Sequence, residues 1–226
     1  MVNLFIHFLH THAKQAEALY ILGDLFEAWI GDDYVEPALQ PVMQALHELT
    51  QQGPRVLVMH GNRDFLMGRK FEQMTGAHII PDPSVIDLYG TPTLLMHGDT
   101  LCTDDVDYQQ LRRQFHDPDW QADFLSRPVE KRLAFAQQAR EESKRETRKK
   151  AEVIMDVNQK AVRQALKEND VLQMIHGHTH RPNTHRITLD QHSATRTVLG
   201  DWYQHGSMLI CTDASCRMQT LYPEIT

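Results

Sequence analysis

Short apolar runs recur along the chain, and each stops at a cluster of glycine and polar residues. Leu19-Tyr20-Ile21-Leu22 ends at Gly23-Asp24, and Arg55-Val56-Leu57-Val58-Met59 ends at His60-Gly61-Asn62. Thr93-Leu94-Leu95-Met96 ends at His97-Gly98-Asp99, and Val171-Leu172-Gln173-Met174-Ile175 ends at His176-Gly177-His178. Runs of this length bounded by turn formers read as buried strands. Between the first two, Leu39, Val42, Met43, Leu46 and Leu49 repeat at helical spacing, and Gly53-Pro54 closes a helix predicted over 37–52. Strands alternating with helices predict a layered α/β fold. In such sheets ligands gather beyond the carboxyl ends of the strands, so the four polar clusters are expected to converge.

From about Asp104 to Asn169 the pattern is helical without strands, and Ile154, Val157, Ala161 and Ala165 mark one amphipathic helix within it. This predicts a core of residues 1–103 and 170–226 capped by a helical lid inserted at 104–169. The segment Arg127–Lys150 holds nine Lys/Arg against four Glu, a net of +5, so the remainder carries −12 of the formal charge of −7. The tail from Arg196 to Tyr222 returns to strand-like segments around Gly200-Asp201-Trp202 and Gly206-Ser207.

Composition narrows the class. A chain of 226 residues, 41% hydrophobic and 23% charged, suits one globular domain with an inserted lobe. Its negative balance argues against a nucleic-acid partner, and no apolar run approaches the roughly 18 residues that span a bilayer. The N-terminus lacks the basic and small-residue features of a signal peptide. Cys102, Cys211 and Cys216 form no CxxC pair and are odd in number, which predicts reduced thiols in a cytosol. The 14 histidines exceed both Phe and Tyr and suggest a metal site.

The strongest chemical signal is His176-Gly177-His178-Thr179-His180. Side chains two apart share a face of an extended or turning chain, so His178 and His180 should point together, with Gly177 allowing a tight turn. A pair of hydrogen-bonded surface histidines is the bland reading. Partners favour ligation: Asp24 offers a carboxylate able to bridge two cations, Asn62 an amide oxygen and His97 an imidazole. Each alone is common turn chemistry; together at four strand ends they read as a site for Mn2+, Fe or Zn2+ rather than Ca2+. Trp29 and Trp202 read as packing residues.

The order GD…GNRD…MHGD…GHTH resembles the calcineurin-like metallophosphoesterases. Within them, Gly61-Asn62-Arg63-Asp64-Phe65-Leu66, Tyr20–Asp33, His97–Asp105, Met155-Asp156-Val157-Asn158 and His176–Pro182 look like the UDP-2,3-diacylglucosamine hydrolase family, from about His7 to Trp202. The resemblance implies an α/β sandwich and hydrolysis of the pyrophosphate of UDP-2,3-diacylglucosamine to UMP and 2,3-diacylglucosamine 1-phosphate, a step of lipid A biosynthesis. It implies two Mn2+ ions and attack by a metal-bound water. Asp24 would bridge the metals, Asn62, His97 and His178 would complete the second site, and His180 would serve the first. Arg63 would stabilise the phosphate, since a guanidinium fork suits that group. Asn62, Arg63, Asp105, Ser143, Thr147, Lys150 and His178 match substrate-binding positions. A lipid substrate implies work at an anionic membrane surface, on the cytoplasmic face of the inner membrane, with the basic lid segment docking there. Leu125, Val129, Leu133, Phe135 and Ala136 would line an acyl groove or form the lid's own core. No protein partner is indicated.

One motif departs from the family. The superfamily opens with Asp-x-His after its first strand; here Val2-Asn3-Leu4-Phe5-Ile6 looks like that strand, and His7-Phe8-Leu9-His10-Thr11-His12 resembles the family's first helix. The twelve residues from His7 to Ala18 leave room for a minimal crossover and none for a metal loop. The first metal site then keeps only Asp24 and His180, with His7 and His10 expected on a helix away from it. Two other readings follow: a catalytically impaired lipid- or nucleotide-binding relative, and a phosphodiesterase of the same superfamily with another substrate.

Overall fold

The computed structural model describes residues 1–147 and 156–223. The chain opens with helix α1, Val2–Thr11, not with the expected strand. Leu4, Phe8 and Leu9 fall on one helical face and are buried, where Phe8 and Leu9 share a cluster with Leu46 and Leu49. That stripe outweighs the alternation of Val2, Leu4 and Ile6. The helix passes unbroken through Ile6–His7, so nothing separates a strand from a helix there.

Strand β1 (Ala18–Leu22) pairs in parallel with β2 (Arg55–Met59), and α2 (Gln40–Gln51), preceded by a short 3-10 turn from Pro37, connects them. The buried face of α2 carries the periodic apolar residues of the predicted helix, Val42, Met43, Leu46 and Leu49. Helix α3 (Arg69–Thr75) leads into β3 (His78–Ile80), which completes a three-stranded parallel sheet in the order β1-β2-β3.

A second sheet begins with the antiparallel pair β4 (Ser84–Leu88) and β5 (Thr91–Met96). Among the described residues four helices follow: α4 (Val106–Phe115), α5 (Pro118–Ser126), α6 (Val129–Thr147) and α7 (Gln159–Glu168). The chain then returns as β6 (Gln173–His176), parallel to β5, and the hairpin of β7 (Asn183–Leu189) and β8 (His192–Val198). The sheet order is β4-β5-β6-β8-β7. Strand β5 is buried from Thr93 to Met96, as expected of a central strand covered on both faces.

Within the expected insertion, α7 lays Val162 and Leu166 against Leu94 and Met174 of the five-stranded sheet. Its first turn is capped by Asn158, whose side chain accepts from the amides of Lys160 and Ala161; Val157 is buried ahead of the helix. Ile154 and Met155 lie outside the described residues. Helices α5 and α6 pack Phe124, Val129, Phe135 and Ala136 into the first cluster, beside Trp29 and Ile30. Leu125 and Leu133 remain exposed.

A last hairpin joins β9 (Gly206–Cys211) to β10 (Cys216–Leu221). Its register sets Cys211 opposite Cys216, and the two are joined in a disulfide. This corrects the expectation of reduced thiols: the pair is made by hairpin register, which a search for CxxC spacing does not detect. Cys102 lies outside that pair and is buried. Among the described residues, no helix is long and apolar enough to cross a membrane.

Candidate metal centre

The carboxyl ends of β1, β2, β5 and β6 meet, and the loop after each brings one polar group to a common point. Asp24, His97 and His178 place one ligand atom each within 4.8 Å of one another. Asn62 completes the group: its Oδ1 lies 3.1 Å from His97 Nε2 and 3.0 Å from His178 Nδ1. The centre therefore joins the two sheets, with Asp24 and Asn62 from one and His97 and His178 from the other.

Close backbone approach makes this possible. A Cβ on Gly61 would lie 2.2 Å from both the amide nitrogen and Oδ1 of Asp24, so only glycine lets the two loops touch. Asp24, His178 and His180 all have positive φ, at 54°, 64° and 55°. Non-glycine residues rarely adopt this region without a surrounding structure that imposes it. The turn expected at Gly177 is thus made by the histidines on either side of Thr179.

Asp64 locks the first two loops together. Its carboxylate is fully buried and accepts from the amides of Gly61 (2.8 Å), Asp24 (3.2 Å) and Phe26 (3.3 Å). Burial and the neighbouring Asp24 charge raise its pKa to about 6.

The donor set fits a cation. His97 Nδ1 lies 2.8 Å from the Leu22 carbonyl, which only accepts, so Nδ1 carries the hydrogen and Nε2 presents a lone pair to the cluster. That lone pair, the amide oxygen of Asn62 and an Asp24 oxygen 3.9 Å away all face one another. Burial opposes the His97 imidazolium, but Asp24 and Asp99 outweigh it and raise its pKa, so the site attracts positive charge. Burial, with His97 alongside, lowers His178 to about 3 and keeps it as the neutral ring that metals bind.

His180 follows a different course. Its ring packs edge-on against Tyr203 at 5.7 Å, and it is not one of the three ligands above. The backbone at His178 and His180 is left-handed rather than extended. His7 and His10 lie on α1 with His12 at its end; His10 reaches Glu48, and none of the three joins the cluster.

Arg63 stands at the edge of the centre. Its amide donates to Asp24 Oδ1 (3.0 Å), and its guanidinium reaches Asp24, Glu27 and Tyr203. Burial works against its charge, but Asp24 and the Tyr203 hydrogen bond outweigh that and raise its pKa. Glu27 also pairs with Arg140 of α6, which ties the helical region to Arg63. Ser143 lies three residues beyond Arg140 on the same helix and is exposed. Thr147 is the last described residue of α6, and Lys150 lies outside the described residues.

Asp105 caps α4 through the Tyr108 amide (3.1 Å). From that helix the Tyr108 hydroxyl (2.8 Å) and Arg112 Nε (2.6 Å) both donate to Asp99 Oδ2. Burial would raise the Asp99 pKa, but His97 and Arg112 override it and hold it at about 2. The Tyr108 ring lies 5.8 Å from that of His178. Sequence reasoning missed Glu27, Tyr108, Arg112 and Tyr203. For Asp64 a signal existed, as the last residue of the Gly-Asn-Arg-Asp cluster.

The chain is similar to known proteins over most of its length. The family model described as calcineurin-like phosphoesterase matches residues 3–182. The UDP-2,3-diacylglucosamine hydrolase of Photobacterium profundum is 46% identical over 220 residues, covering 97% of this chain and 90% of the relative. The protein of the same name from Stenotrophomonas maltophilia (strain K279a) is 48% identical over 231 residues, covering 99% and 93%. A third, from Yersinia pseudotuberculosis serotype O:1b (strain IP 31758), is 50% identical over 208 residues, covering 92% and 87%.

Proposed function

The chain belongs to the calcineurin-like phosphoesterase family and is a hydrolase, and on that premise we propose that it cleaves the pyrophosphate of UDP-2,3-diacylglucosamine to UMP and 2,3-diacylglucosamine 1-phosphate. The observation that carries this reading is the convergence of Asp24, Asn62, His97 and His178, with Arg63 beside them, at the ends of strands from both sheets. A divalent cation held there supplies Lewis acidity toward phosphoryl oxygens and lowers the pKa of water. Mixed carboxylate, amide and imidazole donors suit Mn2+.

Around that centre the chain's own residues bind and orient. Arg63 presents a planar fork to a phosphoryl oxygen. Asn62 and His178 face the same space, and His180 stands beside Arg63. We take α4 to α6, within the 104–169 insertion, as the side that receives the sugar and acyl chains. Asp105, Ser143, Thr147 and Lys150 are its proposed polar contacts. Exposed Leu125 and Leu133 mark an apolar surface there. A lipid substrate places the work at an anionic membrane surface on the cytoplasmic side. Part of the basic charge is already used: Arg127 pairs with Asp123, Arg132 with Asp33, Arg140 with Glu27 and Arg145 with Glu142.

The test is direct. Purified protein with Mn2+ and UDP-2,3-diacylglucosamine in detergent should release UMP, followed by chromatography with ultraviolet detection of the uracil ring. H178A should lower the rate at least about a hundredfold, the scale lost with a metal ligand's support. Release of phosphate from simple monoesters without any UMP from the lipid substrate would sink the assignment.

A further inference from the structure

The loop from β8 to β9 brings an aromatic side chain to the centre from a direction no motif indicates. Trp202 anchors that loop: its Nε1 donates to the Ser207 carbonyl (2.8 Å), and its ring meets Phe5 and Phe8 edge-on at 5.4 and 5.3 Å. The fit is close, because a Cβ on Gly206 would come within 2.9 Å of the Trp202 ring. The next residue, Tyr203, is held over the metal loops. Its amide donates to Asp201 Oδ1 (3.3 Å), and its ring packs against His180.

The phenolic oxygen accepts from Arg63 Nη1 at 2.6 Å, and the same nitrogen donates to Glu27 Oε2 at 3.0 Å. Both Nη1 hydrogens are thus taken. Nε faces Asp24 Oδ2 at 3.5 Å. Nη2 donates no hydrogen bond among the described residues, and Nε meets Asp24 as an ion pair only. Without the phenol, one Nη1 hydrogen would be released and the plane would be free to rotate toward Glu27.

We propose that Tyr203 is a positioning residue for the hydrolysis: by holding one Nη1 hydrogen it fixes the plane of the Arg63 guanidinium, so that Nη2 is presented to a phosphoryl oxygen. This rests on the phosphate-binding role proposed for Arg63.

A double-mutant cycle on Y203F and R63A isolates the effect. Y203F removes one oxygen and keeps the ring against His180. It should lower kcat/KM for UDP-2,3-diacylglucosamine about tenfold, the scale of one charge-assisted hydrogen bond. In the R63A background the same change should do nothing further, with melting temperatures alike within each pair. Full activity of Y203F would overturn the proposal, as would an equal loss in both backgrounds, which marks a merely structural role.

If the wild-type protein releases no UMP, the substrate reading fails by itself. The cycle is then read from phosphorus NMR titrations of inorganic pyrophosphate with metal-free protein. Y203F should weaken that binding several-fold when Arg63 is present and leave it unchanged when Arg63 is absent. No effect of Y203F, or the same effect in both backgrounds, overturns the proposal irrespective of substrate.

Discussion

Three backbone amides that shape the metal centre end on the carboxylate of Asp64, although that residue offers no atom to the cluster. Replacing Asp64 by Asn turns one acceptor into a donor facing an amide. A buried amide then loses its partner at a cost of about 1–3 kcal/mol. Asp24 and the Gly61 turn would shift with it. D64N should therefore raise the dissociation constant for Mn2+ about ten- to a hundredfold, as the loss of supporting groups around metal ligands typically does. Calorimetric titration checks it, and an unaltered constant with a lowered melting temperature would show Asp64 to be structural only. At this scale, legibility followed distance along the chain. Asp24, Asn62, His97 and His178 could be read because each stands in a Gly-flanked cluster after an apolar run. Tyr203 could not, since it meets Arg63 across 140 positions from a loop with no motif.

Among the elements, the joint between α6 and the core depends on one buried cation. Arg132 is 2% exposed; Nη1 donates to Asp33 Oδ1 (2.7 Å) and the Ile30 carbonyl (2.6 Å), Nη2 reaches Asp33 Oδ2, and Nε donates to the Arg127 carbonyl (3.0 Å). The Arg132 hydrogen bond holds the Asp33 carboxyl below the usual range. Removing one partner of a buried pair costs about 3–5 kcal/mol, but Asp33 is half exposed, and solvent reduces that to about 2 kcal/mol. D33A should show this loss in urea unfolding, and D33A/R132M should recover part of it by removing the stranded charge. Equal stability of D33A and wild type would contradict the account. The central elements were readable because β1, β2, β5 and β6 are short apolar runs bounded by turn formers, and the apolar residues of α2 repeat at helical spacing. The N-terminus was misread because Val2–Ile6 satisfies periods of 2 and 3.6 together, and only packing beside α2 decides between them. In the basic run, sequence counts the charges, but contacts decide how many face solvent.

Six of the 14 histidines are held below the ordinary imidazole value in the folded molecule. His116 and His176 are held at about 4 and His178 at about 3, each mainly by burial, and His60, His180 and His185 are lowered for the same reason. Between these values and the ordinary one of about 6.5, the unfolded chain binds protons that the folded chain refuses. Stability from these groups is thus complete above about pH 6.5 and is lost as pH falls toward 4. Asp64 and Asp82, raised to about 6 chiefly by burial, act in the opposite sense over part of that window, whereas His97, whose pKa is also raised, contributes stability that is complete below about pH 6.5 and is lost as pH rises above it. Below about pH 6.5, six lowered groups against two raised ones leave a net loss on acidification. Metal adds a second coupling, because cation and proton compete for the lone pair of His97, whose pKa is raised. The melting temperature of metal-free protein should therefore fall as pH is lowered from about 7.5 to about 5. The increment produced by Mn2+ should be larger at the upper pH than at the lower. H116Q, which alters a ring tilted against Phe65 at the end of α4, should flatten the metal-free acid limb yet leave the Mn2+ increment intact. An increment that is the same at both pH values would show that Mn2+ does not bind through the His97 imidazole.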